Sequence, residues 1–275
     1  MDVKLSGQPV TTLAETQGSR RVGPQLTADV KLQPISSEYG HFMNAQGAMP
    51  ALRIIAVLIG FPIVSTLISL LLLDRGVFSW TGLDFFTAFW LLITFWYLAQ
   101  IAIIARILKS SGWSWSDIGY SFNRKETAYF VAGYLLFAFA LLGFVEFSLA
   151  NVGTDPEKVK ALSDLANLTP KNLPQRLVFT FMGLAAGLCE ELVYRGFAIR
   201  SLKSRGINQW LAFLIAAFPF VFQHGLKSID QFWWFFIWAL VFGAIFIVAK
   251  RLYITIVIHW LVILSAVIAI LQTLK

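Results

Sequence analysis

The sequence predicts an all-α membrane protein, a polytopic bundle of about seven transmembrane helices, or eight if a surface segment also inserts. Of its 275 residues, 57% are hydrophobic and only 13% are charged, and the mean hydropathy is +0.70. Soluble domains are about 45–50% apolar and about 25% charged. The apolar excess lies in long runs without a charged residue, as a lipid bilayer requires. The composition therefore excludes an ordinary soluble domain.

Seven apolar runs define the expected spans. The first has 20 residues without a charge, enough to cross about 30 Å of hydrocarbon, and Pro62 within it predicts a kink or a loosened turn. The fifth has only 14 residues and contains Pro219, so we expect a tilted, kinked or partly re-entrant helix. In chain order the runs are 54–73, 85–105, 127–145, a fourth that includes 177–189, 210–223, 232–249 and 252–271.

Two regions differ in composition. Residues 1–50 are polar and show no sustained periodicity, which predicts a disordered cytosolic tail with a solvated His41. Residues 51–275 form the predicted integral membrane domain. Within this domain the polar segment 151–176 contains Asp155-Pro156-Glu157, which is typical of a helix start. We therefore expect a short helix on the membrane surface there.

The net charge of +7 is concentrated at the ends of the apolar runs. Basic residues at those positions act as topology signals and contact anionic headgroups, so we expect the lipid bilayer and not nucleic acid as a partner. The tail and alternate loops (106–125, 200–205 and 250–251) are the richer in Lys and Arg. Cytoplasmic loops carry this excess. The sequence therefore predicts a multi-pass protein of the plasma (inner) membrane with a cytoplasmic N-terminus.

Two adjacent carboxylates interrupt the fourth apolar run, where residues 190–195 read Glu-Glu-Leu-Val-Tyr-Arg. A charged side chain at bilayer depth costs about 2.5–3.5 kcal/mol on insertion scales, so such groups mark functional sites. Four residues apart on a helix, Glu191 and Arg195 are neighbours and should pair. Glu190 points about 100° away and has no local cation. We expect Glu191 to be structural and Glu190 to be a general base, with an inter-helix salt-bridge network as the competing interpretation.

Small residues precede the glutamate pair by one and two helical turns. These are Gly183, Ala186 and Gly187. Small residues allow close approach either of another helix or of a substrate backbone, and the spacing does not decide between these two roles. Cys189 is the only cysteine, so the chain forms no internal disulfide. Its expected role is that of a small buried packing residue.

Two histidines lie in separate apolar stretches further along the chain. His224 follows Phe220 by four residues, so both share one face, and His259 lies in the last run. A single such histidine is more often a hydrogen-bonded core residue than a catalyst. Together with Glu190 they form a His-His-Glu set, which can hold a zinc ion or polarise a carbonyl and stabilise an oxyanion without a metal.

These motifs resemble those of the CAAX protease and bacteriocin-processing (Abi) family of intramembrane proteases, which includes the Ras-converting CAAX endopeptidase. The resemblance covers about residues 110–271, and it rests on Glu-Glu-x-x-x-Arg-Gly at 190–196, Phe-x-x-x-His at 220–224 and the late His259. Residues 115–122 are similar to a short Leu/Ile-Gly segment of that family. The resemblance implies a hydrolase with catalytic Glu190, His224 and His259, supporting Glu191, Arg195 and Phe220, and either no cofactor or a zinc ion on the three catalytic residues, which would make it a metalloprotease.

One position departs from the family pattern. Ile263 stands four residues after the last histidine, where the family usually has Asn or another polar residue. Two functions therefore stay open. The first is hydrolysis of a peptide bond in a membrane-associated protein or peptide near its end, with Glu190 activating water; CAAX processing would require a prenylated substrate. The second is a non-catalytic scaffold, sensor or immunity protein that keeps the protease fold. Ile263 favours the second, and the intact ionisable set favours the enzyme.

Overall fold

The computed structural model describes residues 47–150 and 170–272, and this part of the chain forms helices and contains no strand. In chain order the helices are α1 (Ala51–Leu70), α2 (Phe85–Ser110), α3 (Arg124–Ala150), α4 (Leu173–Glu190), α5 (Ile199–Ser204), α6 (Gln209–Phe222), α7 (Lys227–Asp230), α8 (Phe232–Ala249) and α9 (Leu252–Gln272). A π-helical segment, Glu191–Ala198, joins α4 to α5, and short 3-10 turns occur at Leu71–Leu73, Ser79–Thr81 and Trp115–Ile118. The predicted all-α class is confirmed.

Four stretches of the described chain are long and apolar enough to cross a membrane. They are Ala51–Leu73, Phe85–Ser110, Leu173–Ser204 and Phe232–Ala249, while α6 and the Leu252–Ser265 part of α9 are shorter apolar stretches. Helical membrane character is therefore confirmed. The predicted surface helix near 155–165, His41 and residues 1–46 of the predicted tail lie outside the described residues.

The two faces of α1 differ in how far they are exposed. Leu52, Ile55, Ile59, Ile63 and Leu67 are all more than half exposed, and they recur every three or four residues along α1. The opposite face, with Ile54, Val57 and Phe61, is buried in the main hydrophobic core. Contact between water and a continuous apolar stripe of this kind is unfavourable, so we expect lipid to cover this surface. The helix continues through Pro62 to Leu70.

The fifth predicted run forms a helix of 14 residues, α6, which contains Pro219 and ends at Phe222. At 1.5 Å per residue it is only about 21 Å long, less than the bilayer core of about 30 Å. His224 lies two residues beyond this end, in a turn whose Gly225 has φ +61. A Cβ on Gly225 would overlap Ser69 Oγ, so this turn packs tightly against α1. The short helix thus ends inside the bundle.

The fourth run departs from an ordinary α-helix. From Glu191 to Ala198 the backbone is π-helical, and every one of these eight residues is buried. At Gly196 a Cβ would lie 2.8 Å from Leu252 Cδ1 and 3.0 Å from the Ile118 carbonyl oxygen. Only a glycine allows this approach of the Trp115–Ile118 turn and α9. Single π-helical turns occur frequently at functional sites.

Candidate active site

Three ionisable side chains from different helices meet beside α4. Glu190, the last residue of α4, is 2% exposed. Its Oε2 lies 3.6 Å from Nε2 of His259, on α9, and 3.8 Å from Nε2 of His224, just beyond α6. The structure therefore brings together the three residues that the sequence selected, and the early end of α6 puts His224 beside Glu190.

Hydrogen bonds fix how each imidazole is oriented. Nδ1 of His224 lies 3.0 Å from the Phe220 carbonyl oxygen and 3.3 Å from that of Val221. Nδ1 of His259 lies 2.9 Å from Glu191 Oε1. Carbonyl and carboxylate oxygens only accept, so both Nδ1 atoms carry the proton. Each neutral ring then presents the lone pair of Nε2 toward Glu190, and a second proton would turn Nε2 into a donor.

Glu191 has two partners. Its Oε1 lies 3.3 Å from Arg195 Nη1, which is the expected i,i+4 pair, and the same oxygen accepts from His259. The Arg195 guanidinium carbon lies 4.0 Å from the centre of the Phe220 ring and 5.2 Å from that of Phe242. Aromatic faces attract a desolvated cation, so Phe220 supports Arg195. The pairing is as predicted, and Glu191 also contacts His259, a contact that the sequence did not predict.

Sequence reasoning missed Tyr97. Its phenol donates to Glu190 Oε1 at 2.7 Å. Three residues later on α2, the fully buried Gln100 accepts from Gln223 Nε2 at 3.2 Å, and the Tyr194 hydroxyl donates to the side-chain Oε1 of Gln223. Polar groups three apart share one face of a helix. Tyr97 and Gln100, inside an otherwise apolar run, were the signal that could have found this network.

The small residues before the glutamates divide between the two roles that the sequence left open. A Cβ on Gly187 would lie 2.5 Å from Trp260 Cδ1, so Gly187 serves helix packing. Gly183 and Ala186 instead line the cavity that contains Glu190. Cys189 is fully buried, as expected, with Sγ 3.6 Å from Gln100 Oε1.

A cavity of about 340 Å³ opens beside the three ionisable groups. This is within the size range of small-molecule and peptide sites, about 300–1,000 Å³. Ile263 lines it, so the departure from the family pattern faces the site. Most of its wall is aromatic or aliphatic, including Phe89, Trp90, Trp96, Phe179, Trp234 and Trp238.

The residue types at the site, two histidines and a glutamate, are those of zinc sites. Among the described residues, however, no group of three or more His, Cys, Asp or Glu side chains is arranged to hold a metal ion. One oxygen of Glu190 is also bound to Tyr97. We derive no step of the reaction through a metal.

The fold and the site define a class: an integral membrane protein with a buried carboxylate–imidazole centre that opens into an apolar cavity. Residues 172–264 match the model of the Rce1-like family, described as type II CAAX prenyl endopeptidase Rce1-like. The match confirms the resemblance over about a third of the chain, and that third contains Glu190, Glu191, Arg195, Phe220, His224 and His259. No curated protein and no solved structure matches the chain.

Proposed function

We propose that the protein is an intramembrane endopeptidase that hydrolyses a peptide bond in a membrane-associated protein or peptide, with Glu190 as the general base. The observation that carries the proposal is the convergence of Glu190 Oε2 on the Nε2 atoms of His224 and His259 in one cavity. The match to a CAAX prenyl endopeptidase family supports it. A water in the cavity beside these atoms would donate one hydrogen to Glu190 Oε2 and the other to His224 Nε2.

The reaction starts from that water. Glu190 takes one of its protons, His224 Nε2 accepts a hydrogen bond from the other, and the hydroxide oxygen forms a bond to the substrate carbonyl carbon. The carbon–nitrogen bond then breaks, and the proton on Glu190 passes to the leaving amine. Tyr97 keeps Glu190 Oε1 occupied, so that Oε2 faces the water.

The charges of the neighbouring side chains indicate that His259 stabilises the oxyanion. Glu190 and Glu191 carry two negative charges, and Arg195 supplies one positive charge. Uncompensated charge is costly in a dry interior, so a second proton on His259 neutralises the cluster. Nε2 of His259 then donates to the developing oxyanion, while Glu191 steadies the ring at Nδ1. Donors aimed at the developing charge are among the largest contributions to catalysis.

The test is cleavage of membrane peptides by the purified protein in detergent, with products measured by mass spectrometry. Glu190→Gln should lower kcat at least about 100-fold, because general-base catalysis contributes about 10²–10⁴-fold. Glu126→Gln is the matched control, since Glu126 pairs with Arg251 and neither residue lines the cavity that contains Glu190. Equal rates for wild type and Glu190→Gln would refute the proposal.

A second candidate function is a non-catalytic membrane scaffold, sensor or immunity protein that binds a peptide in the same cavity. It is favoured by Ile263, an apolar side chain on the cavity wall where the related pattern has a polar one. The two functions differ in the same assay. If the protein is a scaffold, the peptide stays intact with both wild type and Glu190→Gln. If the protein is an enzyme, wild type cleaves the peptide and only Glu190→Gln leaves it intact.

We also propose a seven-span arrangement, or eight spans, with the N-terminus and residues 1–50 on the cytoplasmic side of the plasma (inner) membrane. Supporting it are the 27 residues of α3 and the apolar helices α6 and α9, besides the four stretches named above. Cysteines introduced at Lys125 and Lys250 should then react from the same side. Cys189 is the single cysteine of the chain and must first be replaced, so that the label reacts only with the introduced cysteines. Labelling from opposite sides would refute this topology.

A further inference from the structure

The helix α8 contributes aromatic rings to the site and no charged group. None of its 18 residues is charged. Two of its phenylalanines, Phe235 and Phe242, nevertheless line the cavity that contains Glu190. They are seven residues apart, so both lie on one face of the helix, separated by two turns. Through these two residues α8 presents the faces and edges of phenyl rings to the site.

Each of the two rings lies against one of the imidazoles beside Glu190. The ring centres of Phe235 and His224 are 3.7 Å apart, and the ring planes differ by 16°. The ring centres of Phe242 and His259 are 4.8 Å apart, and these planes differ by 17°. Carbon atoms are in contact at about 3.5–4.0 Å, so Phe235 covers its imidazole face to face. One helix therefore stacks on both histidines.

A stacked ring restricts a motion that a single hydrogen bond permits. Nδ1 of His224 is bonded to the Phe220 carbonyl oxygen, and Nδ1 of His259 is bonded to Glu191. An imidazole held at this one atom can still turn about the direction of its hydrogen bond, which moves Nε2. A parallel ring in contact with the imidazole face blocks this rotation, because turning would push the imidazole edge into the ring. The hydrogen bond and the stacked ring together define the position of Nε2.

We propose that Phe235 and Phe242 are positioning residues, which set the ring planes of His224 and His259 and so keep both Nε2 atoms directed at Glu190. The inference rests on the proposed peptidase function, in which these atoms face the water and the oxyanion. Catalytic groups must be held within about 0.5 Å of the productive geometry. The distances of 3.8 Å and 3.6 Å from the two Nε2 atoms to Glu190 Oε2 thus depend on the placement of α8.

The competing role for these rings is contact with the substrate, because both line the cavity. Kinetics separate the two roles, since lost substrate binding raises KM at unchanged kcat. Phe235→Leu keeps an apolar side chain but removes the ring. It should lower kcat about 10- to 100-fold at nearly unchanged KM, because a misplacement of about 1 Å can cost about 100-fold. Phe235→Tyr keeps the ring and should retain most of kcat.

Phe236→Leu is the matched control for the same helix. Phe236 is the next residue on α8, stacks with Phe232 and lies outside the described lining of the cavity, so its kcat and KM should stay as in wild type. Phe242→Leu should lower kcat as Phe235→Leu does. Phe242 is only 1% exposed, so Tm is measured beside turnover to separate a loss of folding from a loss of orientation.

NMR spectroscopy observes the stacking without catalysis. The chain has three histidines, so isotope-labelled histidine gives a simple spectrum of the full chain in detergent, and His224→Gln identifies the signals of His224. Protons above the face of an aromatic ring are shifted upfield by its ring current. The His224 ring protons should therefore lie upfield in wild type, Phe235→Tyr and Phe236→Leu, and should move downfield in Phe235→Leu.

Three results would overturn the proposal. A raised KM at unchanged kcat in Phe235→Leu would mean that the ring only contacts substrate. Equal losses of kcat in Phe235→Leu and Phe235→Tyr would mean that the aromatic face is not the determinant. A His224 signal that does not respond to the loss of Phe235 would exclude the stacking itself. If wild type binds peptides but cleaves none, the peptidase function fails together with the catalytic consequence, whereas the NMR signal still decides the stacking.

Discussion

The two adjacent glutamates should respond in opposite ways to the same substitution. Glu191→Gln removes the carboxylate that faces Arg195 at 3.3 Å, where the side chains are 0% and 2% exposed. Leaving one member of a buried pair without its counter-ion costs about 3–5 kcal/mol. Each kcal/mol lowers Tm by about 2–4 °C in a domain of about 150–250 residues. On that scale Tm should fall by roughly 10 °C.

Glu190→Gln should leave Tm nearly unchanged and remove activity. Its contacts are the Tyr97 hydroxyl and two imidazoles, so no arginine or lysine is stranded, and the amide oxygen still accepts from Tyr97. We expect a change in the free energy of unfolding below about 1 kcal/mol, within the value of one neutral hydrogen bond. The kcat should fall at least about 100-fold because the base is lost.

The assay measures Tm and turnover of both variants in one detergent, together with the double variant Glu191→Gln/Arg195→Met. Replacing both members of a buried pair is often close to neutral, so the double variant should recover Tm but not activity, since His259 still lacks its carboxylate. A stable, inactive Glu191→Gln beside an unstable Glu190→Gln would reverse the two assignments. Recovery of activity in the double variant would refute the orienting role of Glu191.

Three further changes test single contacts. Tyr97→Phe should lower kcat about 10- to 100-fold at unchanged Tm, the value of a hydrogen bond to a charged group; an unchanged kcat would mean that the phenol only fills space. Ile263→Asn should raise kcat about 10-fold by adding a donor to the cavity wall, whereas Ile263→Leu should not, and equal effects of both would contradict the role of the amide. Gly187→Ala should cost about 1–3 kcal/mol in the free energy of unfolding, because its Cβ would lie 2.5 Å from Trp260; Gly60→Ala, with open space around it, should not destabilise.

The helices were predictable because a helix that spans a bilayer needs a continuous apolar run, which is visible in the local sequence. Each apolar run without charge maps onto a helix of similar bounds, and the fifth run, expected over 210–223, forms the 14-residue helix Gln209–Phe222. The pairing of Glu191 with Arg195 was equally local, since it depends only on residues four apart. The choice of Glu190, His224 and His259 depended on the cost of isolated ionisable groups in an apolar chain, which a sequence also shows.

What the sequence did not reveal depends on contacts between distant segments. Tyr97 and Glu190 are 93 residues apart, and His259 and Glu191 are 68 apart. No periodicity within one helix encodes which face of α2 or α9 turns toward α4. The π-helical segment is a further case, because it involves the placement of eight buried residues among their neighbours and no proline or glycine pair marks its start.

The length of α6 has a consequence for the supply of water. A hydrolase in a membrane consumes one water molecule per cut, and hydrocarbon holds almost none. A helix of 14 residues, about 21 Å long, cannot match a hydrophobic layer of about 30 Å, and a short segment is accommodated by thinning of the bilayer around it. The aqueous phase is thereby drawn toward the level of His224. We expect turnover to depend on acyl-chain length, with thick bilayers slowing the reaction even when the peptide and the protein are unchanged.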